Sequence, residues 1–422
     1  MAAGAFKFED DPLKHYVRTR GWLPLCRERH RQLQGRKPRD RRRLRYFTFC
    51  AVNAVDVLML DVAKVIRPSA AGRFDTVCFF DRTVELVAQT QLRVPGSIGF
   101  AGSFVETVLT PLTAANPLAS PAVERDTAAV RRRQVLQATK RDFIDKFPFD
   151  VLNLDLEDLI FKARDTFPGD VIRALRQLCE WQRRPLVSKA GTELLDGFTL
   201  LFTTRVGPAE LREDYAQMLI TELEANVAAD GTLVELLRRR NGLEVGRLQQ
   251  DDFVAFFELG VPKVIAKALM DEDWHIDPNP ELVAFRFTRT GSPSYEIVHF
   301  AMNVRRQSPR REDRAPGTTP PHVMAAYKSF ARGLFERPAT LVNEATVAGS
   351  ISDLLSTKSG AGGESTIRTK WLSDTRYRGL EDGNARTRRS KLFSSFRPIF
   401  SCDRPLTCAS ERLEGGGMRM IV

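Results

Sequence analysis

The stretch RYFTFCAVNAVDVLMLDVAKVIRPSAAGRFDTVCFFD, residues 45–81, decides the fold class. Residues 45–51 are rich in aromatic side chains, which predicts a buried strand, and residues 52–66 carry apolar side chains at helical spacing. The run FDTVCFFD at 74–81 predicts a second buried strand that closes on Asp81. A strand, a helix and another apolar strand in this order predict one unit of a parallel sheet.

The same alternation continues toward the C-terminus. Segment 97–109 predicts a third strand and the start of another helix, and segments 149–158 and 196–207 predict two further strands. The helical segments between them include the amphipathic run 124–147. Residues 281–306 predict two strands around a Gly-Ser-Pro-Ser turn. We therefore expect an α/β fold whose mostly parallel sheet ends in an antiparallel hairpin.

Composition and charge divide the 422 residues into five predicted segments. They are a basic N-terminal arm (1–45), the α/β domain (46–306), a linker (307–322), a small, mostly helical module (323–385) and an irregular tail (386–422). The helical module has the helix, turn and helix order of a winged-helix unit, and helices that merely pack on the sheet are the alternative.

The net charge of +11 is unevenly distributed. The segment from Lys14 to Arg45 contributes +11 and the segment from Val304 onward +9, so the stretch between them is acidic. An acidic body with two basic flanks favours a polyanionic partner such as nucleic acid, and solvated basic faces are the alternative. The candidate nucleic-acid contacts are Arg39, Arg41, Arg42, Arg43, Arg183 and Arg184.

Other features limit the class of protein. No apolar run approaches the roughly 20 residues of a membrane span, and the acidic N-terminus is unlike a secretory signal. The six cysteines form no CxxC pair, and the five histidines are scattered, so no zinc spacing is present. We expect a cytoplasmic protein with reduced cysteines, no membrane association and no bound metal.

In open α/β sheets, ligands bind beyond the carboxyl ends of the strands. The residues that close the predicted strands are therefore the candidate site. For a cofactor they are Cys50, Asn53, Asp81, Arg82, Ser103 and Phe104, and for catalysis Asp155 and Glu157.

Over roughly 45–306, these strand ends and the final hairpin resemble the class I S-adenosylmethionine-dependent methyltransferase superfamily. The chain is also loosely similar to partner-type methyltransferase-like proteins of bacterial defence and mobile-element genes. The resemblance implies a Rossmann-like sheet with S-adenosylmethionine as cofactor. Asp81, in CFFDR, holds the position whose carboxylate accepts hydrogen bonds from the two ribose hydroxyls.

The resemblance also assigns the next two strand ends. Gly102-Ser103-Phe104 holds the turn that faces the adenine, and the fourth strand end, with Asp155 and Glu157, holds the catalytic or substrate-orienting position. Simpler structural roles remain as alternatives, because acids favour the first turn of a helix and Asp81 also suits a helix cap.

The sequence departs from the family pattern in two places. The turn after the first strand, residues 49–54, contains no glycine, although Asn53 tolerates a positive φ better than most residues. The fourth strand end lacks the Asn/Asp-Pro-Pro-aromatic tetrad of many amino-group methyltransferases of nucleic acids. The alternative function is therefore a catalytically degenerate nucleic-acid-binding or scaffold subunit of a bacterial defence complex.

A metal-dependent phosphodiesterase is a third hypothesis. The carboxylates of Asp155, Glu157 and Asp158 are of the type that holds Mg²⁺, but Asp81 is the only other acidic strand end. A protein partner or a homo-oligomer is compatible with each hypothesis.

Overall fold

The structure of the protein is a computed structural model. It describes residues 11–36, 41–112, 127–156, 170–188, 191–207, 213–229, 235, 249, 253–277, 283–289, 295–306, 340–341, 410–412 and 418–420.

Within these residues the chain forms nine α-helices, and a π-helical turn, Arg18–Trp22, joins the first two. The helices are α1 (Pro12–Val17), α2 (Leu23–Gln34), α3 (Val55–Val62), α4 (Val84–Arg93), α5 (Phe104–Leu109), α6 (Thr127–Ile144), α7 (Asp170–Trp181), α8 (Glu213–Ala229) and α9 (Phe253–Asp271).

The described residues also form thirteen strands. They are β1 (Tyr46–Phe49), β2 (Val77–Asp81), β3 (Ile98–Ala101), β4 (Val151–Asp155), β5 (Leu186–Ser188), β6 (Gly191–Glu193), β7 (Gly197–Val206), β8 (Trp274–Ile276), β9 (Val283–Arg289), β10 (Tyr295–Arg306), β11 (Thr340–Leu341), β12 (Ser410–Arg412) and β13 (Met418–Met420).

The main sheet has the order β11-β9-β10-β7-β4-β1-β2-β3, and β8 pairs with β10. Its half from β3 to β7 is parallel, and β10 then runs antiparallel to both β7 and β9. The predicted α/β class with a mostly parallel sheet is confirmed, and the arrangement is Rossmann-like. The last strand of the hairpin, β10, is inserted between β7 and β9 rather than added at the edge.

Each face of the sheet carries its own hydrophobic core. On one face, Phe47, Phe80 and Phe202 pack with side chains of α5 to α9. On the other, Tyr46, Phe79 and Leu201 pack with side chains of α1 to α4. Helices on both faces explain why the strands are near-continuous apolar runs.

The N-terminal helices belong to the second core. Trp22 is 1% exposed, and Leu13, Val17 and Leu33 are buried beside it in that core. Residues 11–34 of the segment predicted as a basic arm are therefore packed on the sheet. Three of their cationic side chains, Lys14, Arg18 and Arg29, are buried as well.

A buried carboxylate fastens this segment to the sheet. Asp150, which immediately precedes β4, is completely buried and accepts hydrogen bonds from Arg42 at 2.8 Å and from the Arg45 amide at 2.9 Å. Arg29 of α2 lies 3.4 Å away and also pairs with Asp196 at 2.9 Å. Burial alone would raise the pKa of Asp150, but Arg42 and Arg29 hold that pKa below its usual value.

Several predicted segments fall largely or wholly outside the described residues. The linker at 307–322 lies outside them, and so does the helical module at 323–385 except for β11. In the predicted tail, β12 and β13 form an antiparallel pair. None of the described helices is long and apolar enough to cross a lipid bilayer.

We predict that Asp150→Ala strongly destabilises the protein. The substitution leaves the buried Arg29 and the partly buried Arg42 without their common carboxylate, and removing one partner of a buried ion pair costs about 3–5 kcal/mol. Urea denaturation followed by circular dichroism measures the change in the free energy of unfolding.

The matched control for this experiment is Asp145→Ala. The side chain of Asp145 is 69% exposed and lies 3.7 Å from Arg184, so its loss is expected to change stability by less than about 0.5 kcal/mol. Equal effects of the two substitutions would contradict the structural role of Asp150.

Candidate functional site

Three of the predicted strand ends lie side by side. Phe49 pairs with Phe80 between β1 and β2, and Asp81 pairs with Ala101 between β2 and β3. The sheet therefore brings the turn after β1, the end of β2 and the turn after β3 to one carboxyl edge. This edge holds all six cofactor-binding candidates.

The turn after β1 adopts a left-handed conformation without glycine. Ala54, at the start of α3, has φ 47° and ψ 38°, and its amide donates to the Ala51 carbonyl at 2.8 Å. Non-glycine residues pay roughly 1–2 kcal/mol for this conformation. The positive φ thus falls on Ala54, while Asn53 has an ordinary negative φ. Of the two candidates in this turn, Cys50 is 2% exposed and Asn53 is half-buried.

Asp81 is half-buried at the end of β2. One carboxylate oxygen accepts the Arg82 amide at 2.6 Å, and the Asp81 carbonyl accepts the Gly102 amide at 2.9 Å. Burial raises the pKa of Asp81, against a lowering by Arg82. Within the described residues the Asp81 carboxylate makes no salt bridge, and the cap of α4 is Thr83 instead. The carboxylate therefore retains acceptor capacity.

In the turn after β3, backbone and side chains have different roles. Gly102 has φ +120°, and a Cβ built on it would meet nothing within 4 Å. Ser103 accepts the Glu106 amide at 3.4 Å as the N-cap of α5. Phe104 lies in the core, with its ring centroid 4.8 Å from that of Phe49. Only Gly102 leaves open space here, so the backbone rather than Ser103 or Phe104 is placed for close approach.

The catalytic candidate Asp155 is enclosed by the N-terminal helices. Its carboxylate forms a salt bridge with Lys14 of α1, and the two side chains are 8% and 3% exposed. Burial would raise the pKa of Asp155, but Lys14 and Arg18 bring that pKa below its usual value. Asp155 is therefore an ionised carboxylate neutralised by the protein. The other catalytic candidate, Glu157, lies outside the described residues.

His299 extends this cluster across the sheet. Asp155 pairs with Thr203 between β4 and β7, and Thr203 pairs with His299 between β7 and β10. The Nδ1 atom of His299 lies 2.7 Å from the Thr203 hydroxyl, and its ring stacks on Phe287 at a centroid distance of 5.3 Å. Burial, supported by the positive charges of Lys14 and Arg18, lowers the pKa of His299 to about 3.

A second buried network lies beneath the turn after β1. The side-chain amide of Asn153 donates to Tyr46 at 2.9 Å and to Thr48 at 3.1 Å, and both hydroxyls donate to Asp56. Asp56 is in the first turn of α3, so the network connects that helix to β1 and β4. The network therefore stabilises the turn after β1 at the carboxyl edge of the sheet.

Arg183 and Arg184 have local partners. Arg183 pairs with Asp273 at 3.1 Å, and Arg184 donates to the Ile144 carbonyl at 3.1 Å. The preceding Trp181 is buried, and its ring packs edge-on against Phe143 at 5.9 Å. Trp181 is therefore unavailable for stacking on a base, and the two arginines lie in the turn that follows α7.

The nucleic-acid candidates from the basic N-terminal segment also have partners within the protein. Arg42 is bound to Asp150, and Arg43 donates to Asp75 at 2.8 Å. Arg41 is exposed, and its Nε donates to the Arg36 carbonyl at 3.2 Å. Arg39 lies outside the described residues.

Sequence reasoning missed Lys14, Arg18 and His299, because nothing local in the sequence relates them to Asp155. For Lys14 and Arg18 the only signal was the basic charge of the N-terminal segment, which the sequence analysis attributed to a polyanionic partner. For the metal hypothesis, no group of three His, Cys, Asp or Glu side chains suited to a metal occurs in the described part of the chain. Glu157 and Asp158, on which that hypothesis depends, lie outside it.

No known family model matches the sequence, and no curated protein matches it.

We predict that Lys14→Ala is destabilising and that the double variant Lys14→Met/Asp155→Leu recovers much of the loss. Removing Lys14 alone leaves Asp155 buried without its ammonium partner, at a cost of about 3–5 kcal/mol. Replacing both charges by apolar side chains of similar volume removes the desolvation penalty as well. A double-mutant cycle by urea denaturation tests this prediction, and additive effects would contradict a direct pair.

We also predict that His299 makes stability fall as the pH is lowered from 7 to 4. Its pKa of about 3 in the folded protein lies below the usual value of about 6.5, so the unfolded chain takes up a proton first. The loss approaches roughly 1.4 kcal/mol per pH unit between these two pKa values. His299→Gln should have a shallower pH dependence in denaturation experiments at pH 7, 6 and 5 than the natural protein. Parallel curves would contradict a neutral buried ring.

Proposed function

We propose that this protein is an S-adenosylmethionine-dependent methyltransferase-like protein that acts on or binds nucleic acid. The observation that carries the proposal is the sheet order β3-β2-β1-β4-β7, followed by an antiparallel β10 inserted before β9. A parallel sheet closed by an antiparallel hairpin is the architecture that the resemblance implies. It is more specific than the alternation of strands and helices alone.

The strand order also supports the location of the cofactor site. The chain continues from β1 to β2 on one side and later places β4 on the other, so the order reverses between β1 and β4. Ligands of open α/β sheets bind at such a switch point, outside the carboxyl ends of the strands. The turn at residues 50–54 lies beside that point.

The donor and acceptor groups at this edge suit a nucleoside. The Asp81 carboxylate, which makes no salt bridge within the described part of the chain, is an acceptor for a ribose diol. Gly102 leaves room for a ring next to the backbone. The left-handed Ala54 supplies the sharp turn that a glycine would otherwise provide. S-adenosylmethionine, when bound, would supply the methyl group, and Asp81 would orient its ribose.

Charge supports the nucleic-acid partner. The chain has a net charge of +11, and phosphate contacts by basic side chains supply most of the affinity of non-specific nucleic-acid binding.

The four cysteines that the structure describes, Cys26, Cys50, Cys78 and Cys179, are free and buried. Reduced thiols of this kind favour a cytoplasmic location.

A second candidate function, a non-catalytic nucleic-acid-binding or scaffold subunit of a bacterial defence complex, is favoured by one observation. The acid at the end of β4 is held by Lys14 under α1, so it is not free to orient an acceptor or remove a proton. Cofactor binding without methyl transfer would support this candidate.

Isothermal titration calorimetry with S-adenosylmethionine tests the first proposal. We expect binding in the micromolar range by the natural protein and at least about tenfold weaker binding by Asp81→Asn, because the amide loses the charge that strengthens both hydrogen bonds to the ribose. Asp145→Asn, far along the chain on an exposed turn after α6, is the matched control.

The outcomes separate the candidates. Binding that is weakened by Asp81→Asn but not by Asp145→Asn supports a working cofactor pocket. Binding that both variants retain would remove Asp81 from that pocket. If the natural protein produced no heat, the cofactor proposal would fail and the scaffold candidate would be favoured.

A further inference from the structure

A basic pocket of about 260 Å³ lies at the amino edge of the sheet, opposite the carboxyl edge that holds Asp81. Its walls come from the last turn of α2, the segment before β1 and the segment after α3. The lining residues are His30, Gln34, Arg41, Arg42, Arg43, Leu44, Val65 and Arg67.

Among the described residues, the lining contains four arginines and no acid. Arg42 and Arg43 are neutralised from behind, by Asp150 and Asp75. Arg41 and Arg67 differ, because each uses its Nε to donate to a backbone carbonyl, of Arg36 at 3.2 Å and of Lys64 at 3.4 Å. Neither has a carboxylate partner among the described residues, so their terminal guanidinium nitrogens are the charged groups of the lining that no described acid neutralises.

The pKa of His30 responds to the positive charge of the pocket. It is half-buried in the pocket wall, and its pKa is lowered by burial first and by Arg67 second, against a raising contribution from the Val65 carbonyl. Burial and the charge of Arg67 thus both disfavour the charged form of the His30 ring.

The size and shape of the pocket limit its ligand. A volume of about 260 Å³ is slightly below the usual range of roughly 300–1,000 Å³ for sites that enclose a drug-sized molecule. It accommodates a phosphate group with part of its sugar. Guanidinium groups bind phosphate oxygens in a bidentate manner, which makes a phosphate the anion that best matches two arginines lining one pocket.

We propose that this pocket binds a backbone phosphate of a nucleic-acid strand through Arg41 and Arg67. The proposal rests on the nucleic-acid part of the proposed function and gives it a location away from the cofactor edge. Arg42 and Arg43 form the wall of the site, and their ion pairs with Asp150 and Asp75 already occupy part of their hydrogen-bonding capacity. The phosphate contact is independent of base sequence.

Fluorescence anisotropy with a labelled single-stranded DNA of about 20 nucleotides tests the site directly. We expect Arg67→Gln and Arg41→Gln each to weaken binding about tenfold at ~50 mM salt, since each loses a charge-assisted phosphate contact. The slope of log K against log[salt] should also become less steep, by about 0.7 for each contact with a single strand.

The matched control is Arg173→Gln, an exposed arginine of α7 on the other face of the sheet. It removes the same charge from the protein and is expected to leave both affinity and slope close to their natural values. Thermal denaturation of all four proteins checks that the pocket variants remain folded. Arg67 lies in the segment after α3 and donates to the Lys64 carbonyl, so a purely structural role would change the melting temperature and leave DNA binding unchanged.

The experiment separates failure of this site from failure of the proposed function. If the natural protein binds DNA and all three variants bind equally well, the pocket proposal is wrong while nucleic-acid binding stands. If the natural protein does not bind the DNA even at ~50 mM salt, the nucleic-acid function itself fails. Calorimetry with S-adenosylmethionine is unaffected by either result.

A titration with inorganic phosphate distinguishes binding of a nucleic-acid strand from binding of a small phosphorylated ligand. Titration of the His30 ring signal by NMR should show a shift on addition of phosphate, and the shift should be absent in Arg67→Gln. Displacement of that phosphate by the oligonucleotide supports the proposal. Phosphate binding that the oligonucleotide does not displace would overturn it and would assign the pocket to a small phosphorylated molecule.

Discussion

The buried carboxylate of Asp150 is the constraint on which the N-terminal half of the molecule depends. It sits at the start of β4 and draws Arg29 of α2 and Arg42 of the segment before β1 onto the amino edge of the sheet. Without that anion, two arginines would face an apolar core, which would be more costly than exposing them to water. The same contact sets the position of α2, and therefore of α1 and of the wall of the basic pocket.

At the carboxyl edge, the buried carboxylate is paired with a lysine instead of arginines. There Lys14 covers Asp155, and the neutral His299 lies behind them between aromatic rings. The N-terminal segment thus contributes arginines at one edge and a lysine at the other. A segment whose charge suggested an exposed arm acts as a brace across one face of the sheet. Its basic composition reflects this bracing as well as the surface that it leaves in solvent.

The sequence was sufficient for the elements whose signal is local. Continuous apolar runs predicted β1, β2 and β4 because both faces of those strands are covered. The salt bridge between Lys14 and Asp155 could not be predicted, because it joins residues that are far apart in the chain and of types that are usually exposed. Ser103 and Phe104 were predicted as ligand contacts by position in the turn alone. Their capping and core roles depend on rotamers and on tertiary packing.

The left-handed conformation of Ala54, after β1, lowers the entropic cost of binding a ligand at this turn. A glycine in that turn would sample many conformations and would have to be ordered when a ligand arrives. Ala54 has far fewer alternatives, and the hydrogen bonds beneath it, through Asp56 and Asn153, hold the turn in one arrangement. The amide groups of the turn are therefore preorganised, and the entropic cost of ordering them falls on folding rather than on binding. Such a turn favours a ligand of one fixed shape over a range of related ones.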